Sequence, residues 1–393
     1  MTIVYVRLVV VSHKPCWPVP NSPSGYATDG GFPFQMAALS ELFDQTILVV
    51  PVHKTPAPSG TSPLQGHHLS VLALGHPAGS RLRRKLSLLL WMPRNIPRIW
   101  RAVHEADAVH TPLGGDVGTL GALAALVQGK PLFIRYCGLW GHPTTFFQQF
   151  WFWLCETVAG GRNVVLATGW DERPPSAKNP HIQWIFSTSL RKQDIVSLPR
   201  RTGWEAGQPL KLITVGRQEP GKNTALTIQA LRLIREQYPQ TTFDIVGDGS
   251  DLPGLRRLVA ELDLGDAVTF HGYVNHDAVI AALLAANIFC FPTRTEGFPK
   301  VVHEALACGL PVVTTPVSVL KHLINDQNGV LLSDTEPKTI TQAVLGLIAD
   351  PDRFGLMIRH AQQMALDYSL ERWRDEIGDM LRTAWNCPLS TVL

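Results

Sequence analysis

The sequence predicts an α/β protein that contains two doubly wound parallel sheets. In the second half, short apolar runs rich in β-branched residues alternate with helical patterns of about 10–15 residues. The first half shows the same alternation less regularly. At 393 residues the chain is long enough for two domains with sizeable cores. Strands that alternate with helices indicate parallel sheets covered by helices on both faces.

The second half has the clearer pattern. Its predicted strands and helices follow one another in strict order, and a last helical pattern at 370–385 falls outside that order. The predicted strands are 211–216, 243–247, 267–272, 288–292, 311–315 and 329–332, and the predicted helices are 222–238, 252–264, 275–287 and one that begins at Pro299.

The first half gives a second set of elements. Its predicted strands are 2–12, 46–51, 69–74, 107–111, 131–136, 163–168 and 182–186, and its predicted helices are 33–43, 86–105, 116–127 and 144–159. The polar stretch 187–209 is the predicted link between the halves. We therefore expect a first domain at 1–200, a second domain at 201–368 and a C-terminal helical segment at 369–393.

Composition narrows the classes of protein. With 45% hydrophobic and 17% charged residues the chain is globular rather than disordered, and a net charge of +3 is too small to indicate nucleic-acid binding. The six cysteines form no CxxC pair and show no metal-ligand spacing, which indicates reduced thiols of a cytoplasmic protein. The apolar N-terminus contains Arg7 and is typical of a buried strand rather than of a signal peptide. No apolar run is long enough to span a membrane.

Two cations follow the first predicted strand of the second half, in VGRQEPGK at 215–222. The strand ends at Gly216, Arg217 comes next, and Lys222 opens the following helix. A guanidinium and an ammonium five positions apart could both reach one diphosphate. The segment lacks the phosphate-binding G-x-x-x-x-G-K-[ST] pattern. A solvated Arg and Lys beside a helix start is the alternative that this segment leaves open.

The stretch TEGFPKVVHEALACGLPVVTT, at 295–315, predicts an anion site at a helix start. Pro299 suits the first helical position, where its missing N–H costs nothing. The amides of Lys300 and Val301 would then point out of the positive end of the helix. Gly297 allows the backbone to approach a ligand closely.

Two carboxylates lie in the same stretch. Glu296 directly precedes the Gly-Phe-Pro turn, and Glu304 lies on the helix among apolar neighbours, so we expect it to be partly buried. Carboxylates at different depths suit two hydroxyl-bearing groups, such as a sugar and a ribose, on either side of a diphosphate. The alternative for Glu296 is an acid that merely stabilises the start of the helix.

Taken in order, these motifs resemble the retaining glycosyltransferases of family four, which have the GT-B fold. The resemblance is strong over about 205–335, weak through the C-terminal helix and faint over the first half. It implies two Rossmann-like domains that face each other across a cleft, with the C-terminal helix crossing back to the first domain. The motifs are Arg217 and Lys222, GDGS at 247–250, HGYV at 271–274, and Glu296-x7-Glu304 with EALACGLPVV.

The resemblance implies that the second domain holds a nucleotide-diphospho-sugar, with a UDP-sugar as the working expectation. Glu296, with the amides of Gly297 and Phe298, would hold the sugar hydroxyls. Glu304 would hold the ribose, and the backbone near Val274 would contact the base. Both acids would then bind the donor rather than act as an acid/base pair on one bond.

The resemblance also implies catalysis without a metal or other cofactor. Arg217 and Lys222 would bind the diphosphate and stabilise its charge as it leaves. Gly216, at the strand end, would belong to the same donor site. The Asp350–Pro–Asp352 segment lies at a predicted helix start and is interpreted as a cap, not as a metal ligand.

The first domain departs from the family pattern. The pair Gly30–Gly31 matches the glycines that meet the donor phosphate and the acceptor in such enzymes. Where many relatives have a histidine at a strand end, this chain has Cys137. His110 and His142 are candidate substitutes on the acceptor side, although a lone histidine is more often structural than catalytic.

Two stretches of the first domain could contact a membrane. Residues 80–100 are basic, apolar and rich in Trp, and residues 146–155 are aromatic. Helices of this kind can lie on anionic membranes, and many relatives use lipid-linked acceptors. We therefore expect peripheral contact with the inner face of a membrane. The alternative is that the apolar faces belong to the core and the basic residues form a solvated rim.

The sequence thus predicts a retaining glycosyltransferase, of hexosyl or N-acetylhexosaminyl type, that serves polysaccharide biosynthesis. The acceptor would be a glycan, a lipid-linked molecule or a small molecule. A nucleotide-sugar 2-epimerase of the same fold is the alternative within enzymes, and it would need no acceptor. A non-catalytic sugar-nucleotide-binding protein is the alternative outside enzymes, and Cys137 is the feature that favours it.

Overall fold

The chain divides into two compact units in a computed structural model. The structure describes residues 6–76, 81–141, 143–201, 203–205, 207–387 and 389, without the side chains of 81–86, 88 and 89. The first unit comprises 1–186 with 370–393, and the second comprises 187–369. Residues 187–200, which the sequence assigns to the first domain, lie in the second unit.

The first unit is built on a seven-stranded parallel sheet of order β10-β9-β8-β7-β1-β4-β6. The seven predicted strands are confirmed within the described residues, which do not include residues 2–5 of the first one. Strands β7 and β8 are buried along their whole length, as expected for a sheet covered on both faces. The strands are β1 Arg7–Val11, β2 Trp17–Pro18, β3 Tyr26–Thr28, β4 Gln45–Val52, β5 Ser62–Pro63, β6 Leu69–Gly75, β7 Ala108–Leu113, β8 Leu132–Tyr136, β9 Asn163–Thr168 and β10 Ile182–Ile185.

Four helices precede β10 in the first unit. They are α1 Phe32–Ser40, α2 Arg81–His104, α3 Asp116–Val127 and α4 Phe146–Val158. A capping box between Thr145 and Gln148 fixes the start of α4. The short strands β2, β3 and β5 form a small antiparallel sheet that was not predicted, because runs of two or three residues carry no periodicity.

The second unit is built on a six-stranded parallel sheet of order β13-β12-β11-β14-β15-β16. All six predicted strands are confirmed. The strands are β11 Lys211–Val215, β12 Thr242–Val246, β13 Val268–Gly272, β14 Ile288–Phe291, β15 Val312–Thr314 and β16 Gly329–Leu331, and the helices are α5 Lys192–Ser197, α6 Thr224–Arg235, α7 Leu252–Glu261, α8 His276–Ala285, α9 Lys300–Ala307, α10 Leu320–Leu323, α11 Pro337–Ile348 and α12 Pro351–Ala365.

Two predictions about the second unit are wrong in detail. The predicted link contains helix α5, which the polar composition of that stretch does not indicate. Lys222 does not open a helix, because Pro220–Lys222 forms a 3-10 turn and α6 begins only at Thr224. Between them Asn223 adopts the left-handed conformation, with φ of 56°.

The C-terminal helix α13, Leu370–Trp385, belongs to the first unit. It buries Trp373, Ile377 and Leu381, four residues apart, on one face. Arg374 forms an ion pair with Glu41 of the same unit.

The strand orders locate a switch point in each sheet. In the second unit β11 is followed by β12 on one side, whereas β14 returns on the other side. In the first unit β4 and β7 flank β1 in the same way. Ligands of open parallel sheets bind beyond the carboxyl ends of the strands at such points.

Candidate active site

The loop that follows β11 lies against the loop that follows β12. A side chain at Gly247 would collide with the carbonyl oxygen of Gly216, and one at Gly249 would collide with that of Gln218. The glycines of the GDGS motif are therefore required for this close approach.

Gln218 holds the loop after β11 in place. Its side chain is buried, and its Nε2 donates to the carbonyl oxygens of Gly216, at 2.9 Å, and Val246, at 3.2 Å. Its Oε1 accepts a hydrogen bond of 2.8 Å from the Thr224 hydroxyl. This anchor was not predicted, although a polar residue between two proposed ligand-binding cations is a usable signal.

Arg217 lies beside this anchor and points to solvent. Its side chain is 83% exposed, and its Nη1 lies 3.3 Å from Oε1 of Glu219. A pair as exposed as this contributes little stability. The guanidinium is therefore accessible to a ligand at this edge of the sheet.

Lys222 and Glu296 form a direct ion pair that was not predicted. The Lys222 ammonium donates to Oε1 of Glu296 and lies 5.2 Å from the centre of the Phe291 ring. The side-chain amide of Asn223 donates through Nδ2 to the Pro292 carbonyl at 2.7 Å, and this bond ties the 3-10 turn to the loop after β14. The sequence separation of 74 positions hides this contact from pattern analysis.

The charge state of Glu296 reflects two opposing influences. Burial raises the pKa of its carboxyl group, and the positive charges of Lys222 and Arg217 lower it. Burial outweighs the two cations, so the pKa remains above its ordinary value.

Glu304 is buried on α9, as expected. Its Oε1 accepts hydrogen bonds from the Ser189 hydroxyl and from Nε2 of His276, which lies 3.2 Å away. Ser189 follows β10 and His276 begins α8, so three separate elements converge on one carboxylate. The contacts of Ser189 and His276 were not predicted.

The shifted pKa values of Glu304 and His276 favour a contact between a carboxylate and an imidazolium. Burial alone would raise the pKa of Glu304, but His276, Ser189 and His303 together lower it below its ordinary value. Burial likewise opposes the charge on His276, yet Glu304, with Asp277 and Asp194, raises the pKa of the imidazole. The carboxylate is therefore held charged within the protein.

The start of α9 lies beside Glu296. The helix begins at Lys300, and Pro299 precedes it in an extended conformation rather than occupying its first position. Lys300 and Val301, both half-buried, form the first turn as predicted. The carbonyl oxygen of Gly297 accepts a hydrogen bond of 3.3 Å from the Ser318 hydroxyl.

Two further predicted donor residues frame this region. Phe298 is buried, with its ring centre 5.9 Å from that of Tyr368. Val274 is half-buried and directly precedes Asn275, which caps α8 by accepting a hydrogen bond of 2.9 Å from the Ala278 amide. The backbone of Val274 thus leads into the helix that supplies His276.

The glycine pair of the first unit lies before α1. Gly30 has φ of 67°, a conformation that favours glycine. Gly31, with φ of −84°, precedes the helix and needs no such freedom. Lys14, which follows β1, forms an ion pair with Asp29 beside this turn.

The structure places the acceptor-side candidates in different surroundings. His110 is not at a strand end, because β7 continues to Leu113, and it is fully buried with Nδ1 donating to the Phe133 carbonyl at 2.9 Å. Burial lowers its pKa to about 3. The strand-end position is therefore wrong, and a catalytic role for this buried imidazole stays a prediction without support from its surroundings. Cys137 lies just beyond β8, as predicted, and its side chain is exposed. His142 lies outside the described residues.

His13 is a residue that the sequence analysis missed. It follows β1, and a side chain at Gly115, in the loop after β7, would collide with its ring. It therefore lies at the switch point of the first sheet. A histidine directly after a predicted strand was the available signal.

Residues 200–364 match the family model described as Glycosyl transferases group 1. The second unit carries a group 1 glycosyltransferase domain. The resemblance that the motifs indicated is thereby confirmed for this part of the chain. The match contains Arg217, Lys222, Glu296 and Glu304, whose individual roles remain predictions.

Individual relatives extend this finding. The chain is similar to a GDP-mannose-dependent alpha-(1-6)-phosphatidylinositol monomannoside mannosyltransferase of Mycolicibacterium smegmatis, with 32% identity over 206 residues, 49% of this chain and 53% of that protein. It therefore spans about half the length of that relative. It is also similar to an alpha-D-kanosaminyltransferase of Streptomyces kanamyceticus, with 25% identity over 317 residues, 75% of this chain and 81% of that protein.

A solved structure supports the fold class. Anabaena Alr3699/HepE, in complex with UDP and glucose, has a TM-score of 0.69 and 18% identity, and the similarity covers 97% of this chain and 100% of that one. At this identity the likeness concerns the fold alone. Together with the two Rossmann-like sheets, it confirms the predicted GT-B fold class.

Proposed function

We propose that the chain transfers a sugar from a nucleotide-diphospho-sugar to an acceptor, with retention of the anomeric configuration. The observation that carries the proposal is the contact of Lys222 with Glu296, together with the burial of Glu304 on α9, in the segments that follow β11 and β14 of the second sheet. They lie near its switch point, within the segment that matches the group 1 family.

Each part of the donor has a matching group in this proposal. The diphosphate is bound by Arg217 and Lys222, with the positive end of α9 as a further source of attraction. Glu304, charged and fixed by His276 and Ser189, accepts hydrogen bonds from the ribose hydroxyls. Glu296 accepts hydrogen bonds from the transferred sugar.

The chemical step breaks the bond between the anomeric carbon and the β-phosphate oxygen. A new bond forms between that carbon and an acceptor oxygen on the same face of the sugar. The acceptor proton passes to the departing phosphate oxygen. The protein contributes mainly by stabilising the negative charge that develops on the diphosphate, which is the task of Arg217 and Lys222.

A panel of nucleotide sugars tests the proposal. A ligand present at 100 times its dissociation constant adds roughly 2.7 kcal/mol of stability, which a thermal unfolding assay detects. Both UDP- and GDP-sugars belong in the panel, because the HepE structure contains UDP and the mycobacterial relative is named as GDP-mannose-dependent. Stabilisation by none of them would contradict the proposal.

Glu304→Ala is expected to weaken binding of the nucleoside diphosphate even without a sugar, because its partner is the ribose. A charged hydrogen bond is worth about 1.5–3 kcal/mol, so the dissociation constant should rise by roughly 10–150-fold in calorimetry.

Glu304→Gln is the second variant for this test. It keeps hydrogen-bonding oxygen and shape, so it avoids leaving His276 beside an empty space. Unchanged nucleotide affinity in both folded variants would remove Glu304 from the ribose site.

The proposed reaction needs no metal, because two cations and a helix start meet the diphosphate. Asp350 acts as a helix cap, as interpreted from the sequence, since its Oδ1 accepts a hydrogen bond of 3.0 Å from the Arg353 amide. We expect full activity after treatment with EDTA. Activity that disappears and then returns with Mg²⁺ or Mn²⁺ would contradict this part of the proposal.

The first unit exposes apolar side chains in the two stretches expected at a membrane. Leu90 is 74% exposed, Phe146 77%, Phe147 61% and Trp153 58%. The side chains of Arg81, Arg83, Arg84 and Lys85 lie outside the described ones. Within the described residues, no helix combines the length and apolar character needed to cross a membrane. We propose peripheral contact with an anionic, cytoplasmic membrane face, where a lipid-linked acceptor would be reached.

Binding to vesicles tests this contact. The protein should co-sediment with vesicles that contain anionic lipid, and Trp153→Ala combined with Phe147→Ala should reduce the partition coefficient by about tenfold or more, since each ring adds apolar area. Leu356→Ala, on the second unit and 48% exposed, is the control. No binding by the parent protein would contradict the contact.

A further inference from the structure

The contact between Lys222 and Glu296 joins two residues that bind different parts of the donor in the proposed function. Their side chains are only 21% and 14% exposed, so each is the other's principal partner in a partly desolvated place. The Asn223–Pro292 hydrogen bond fixes the two loops that carry them. A diphosphate that approaches the Lys222 ammonium therefore meets a carboxylate already bound to it, and the two negative charges repel each other.

Within the described residues, two cations lower the pKa of Glu296. The charges that act on Glu296 are those of Lys222 and, more weakly, Arg217, both from the loop after β11. Arg217 is 83% exposed and faces Glu219. In the proposed function Arg217 is itself drawn to the diphosphate.

We propose that a nucleoside diphosphate binds by displacing Glu296 from Lys222, and that this exchange couples binding of the bare nucleotide to uptake of a proton by Glu296. The proposal rests on the proposed function. A complete donor escapes this coupling, because hydroxyl groups of its sugar replace Lys222 as hydrogen-bond donors to the carboxylate. After transfer, the re-formed ion pair assists release of the product nucleotide.

The direction of the pH effect follows from burial. Burial already raises the pKa of Glu296 while Lys222 lowers it, so losing Lys222 raises the pKa further. At a pH between the pKa of Glu296 in the free protein and its pKa in the nucleotide complex, the complex holds more protons than the free protein. Affinity for the bare nucleotide then falls as pH rises, by up to about tenfold per pH unit within that window. Above the window the unpaired buried carboxylate continues to oppose binding.

Calorimetry with UDP and with GDP, from about pH 6 to about pH 8.5, tests the exchange. Glu296→Gln removes the competing charge and keeps the shape. We expect it to bind the nucleotide about tenfold or more tightly than the parent at the highest pH, with a smaller difference at low pH. The ratio of the two affinities cancels the titration of the nucleotide's own phosphate.

Glu219→Gln is the matched control. It removes a carboxylate from the same loop but leaves the Lys222–Glu296 pair intact. It should keep the pH dependence of the parent. Calorimetry in two buffers of different ionisation enthalpy should show that the parent and Glu219→Gln take up more protons per nucleotide bound than Glu296→Gln does, since the titration of the nucleotide's phosphate is common to all three.

The outcomes distinguish a failure of the Glu296 exchange from a failure of the proposed function. Binding of UDP or GDP with equal proton uptake in the parent and in Glu296→Gln, or with a pH-independent ratio of their affinities, overturns the exchange alone. Binding of neither nucleotide to any of the three proteins overturns the proposed function as well. If Glu296→Gln fails to fold, the parent's affinity above about pH 7.5, where the nucleotide's phosphate is already ionised, still decides, because the exchange predicts that it falls further with pH and a constant affinity contradicts it.

Discussion

Lys222→Ala is expected to lower turnover by about 10²–10³-fold, the loss typical for one group that stabilises a developing negative charge. Lys222 lies at the carboxyl end of the second sheet, tied to the loop after β14, and its ammonium is largely shielded from water. A charge in such a place acts more strongly on a leaving diphosphate than an exposed one. Steady-state kinetics at saturating donor measures the loss.

The control is Lys338→Ala, which removes an exposed cation of the same unit from α11, a helix that carries none of the predicted site residues. It should leave turnover within about twofold, as for a typical surface substitution. Because Lys222→Ala leaves Glu296 without its partner, folding of the variant must be checked by circular dichroism. Turnover within about threefold of the parent in a folded Lys222→Ala protein would contradict the role of Lys222.

Glu296→Gln is expected to reduce kcat by about 10²-fold, while donor affinity changes by less than about tenfold. The sugar gains positive charge as the bond to the leaving group breaks, and a carboxylate beside it interacts more strongly in that state than with the ground-state sugar. An amide keeps the hydrogen bonds but not the charge. Single-turnover kinetics combined with calorimetry on the donor separates the two effects.

This variant also distinguishes the sequence-based expectation from the structural one. From the sequence alone, Glu296→Gln and the parent should bind the bare nucleotide alike. Lys222 is assigned to the diphosphate in that interpretation, and Glu296 to the sugar. The ion pair with Lys222 changes that expectation to tighter binding by the variant. Unchanged turnover would return Glu296 to the simpler role of an acid at a helix start.

The second sheet could be predicted well because its strands carry their own signal. The segments KLITV and IFCF are continuous apolar runs with turn residues beyond them, and such runs are typical of strands buried on both faces. The position of Glu296 just beyond β14 followed from that prediction. The burial of Glu304 followed from its apolar neighbours on a helix.

Local backbone exceptions could not be predicted in the same way. Lys222 lies in a 3-10 turn because Asn223 adopts a left-handed conformation that its hydrogen bond to Pro292 supports, and that partner is 69 positions away. His110 was expected at a strand end because the predicted strand covered only 107–111. The strand instead continues through Pro112 to Leu113, which places His110 in the core.

Polar contacts between residues far apart in the chain also could not be predicted from the sequence. Ser189 and Glu304 are 115 positions apart, and nothing in the periodicity of either segment indicates that they meet. The same holds for Lys222 and Glu296. Periodicity reports which face of an element is buried, whereas partners across elements depend on the order and twist of the strands.

The anomeric configuration of the product tests the central claim most directly. Proton NMR of the anomeric signals, followed during turnover of whichever donor the panel selects, identifies the first product formed. The account predicts that the transferred sugar keeps the anomeric configuration it had in the donor, and that Lys222→Ala slows its appearance. A first product of inverted configuration, or a sugar nucleotide epimerised at C2 without any acceptor, would contradict it.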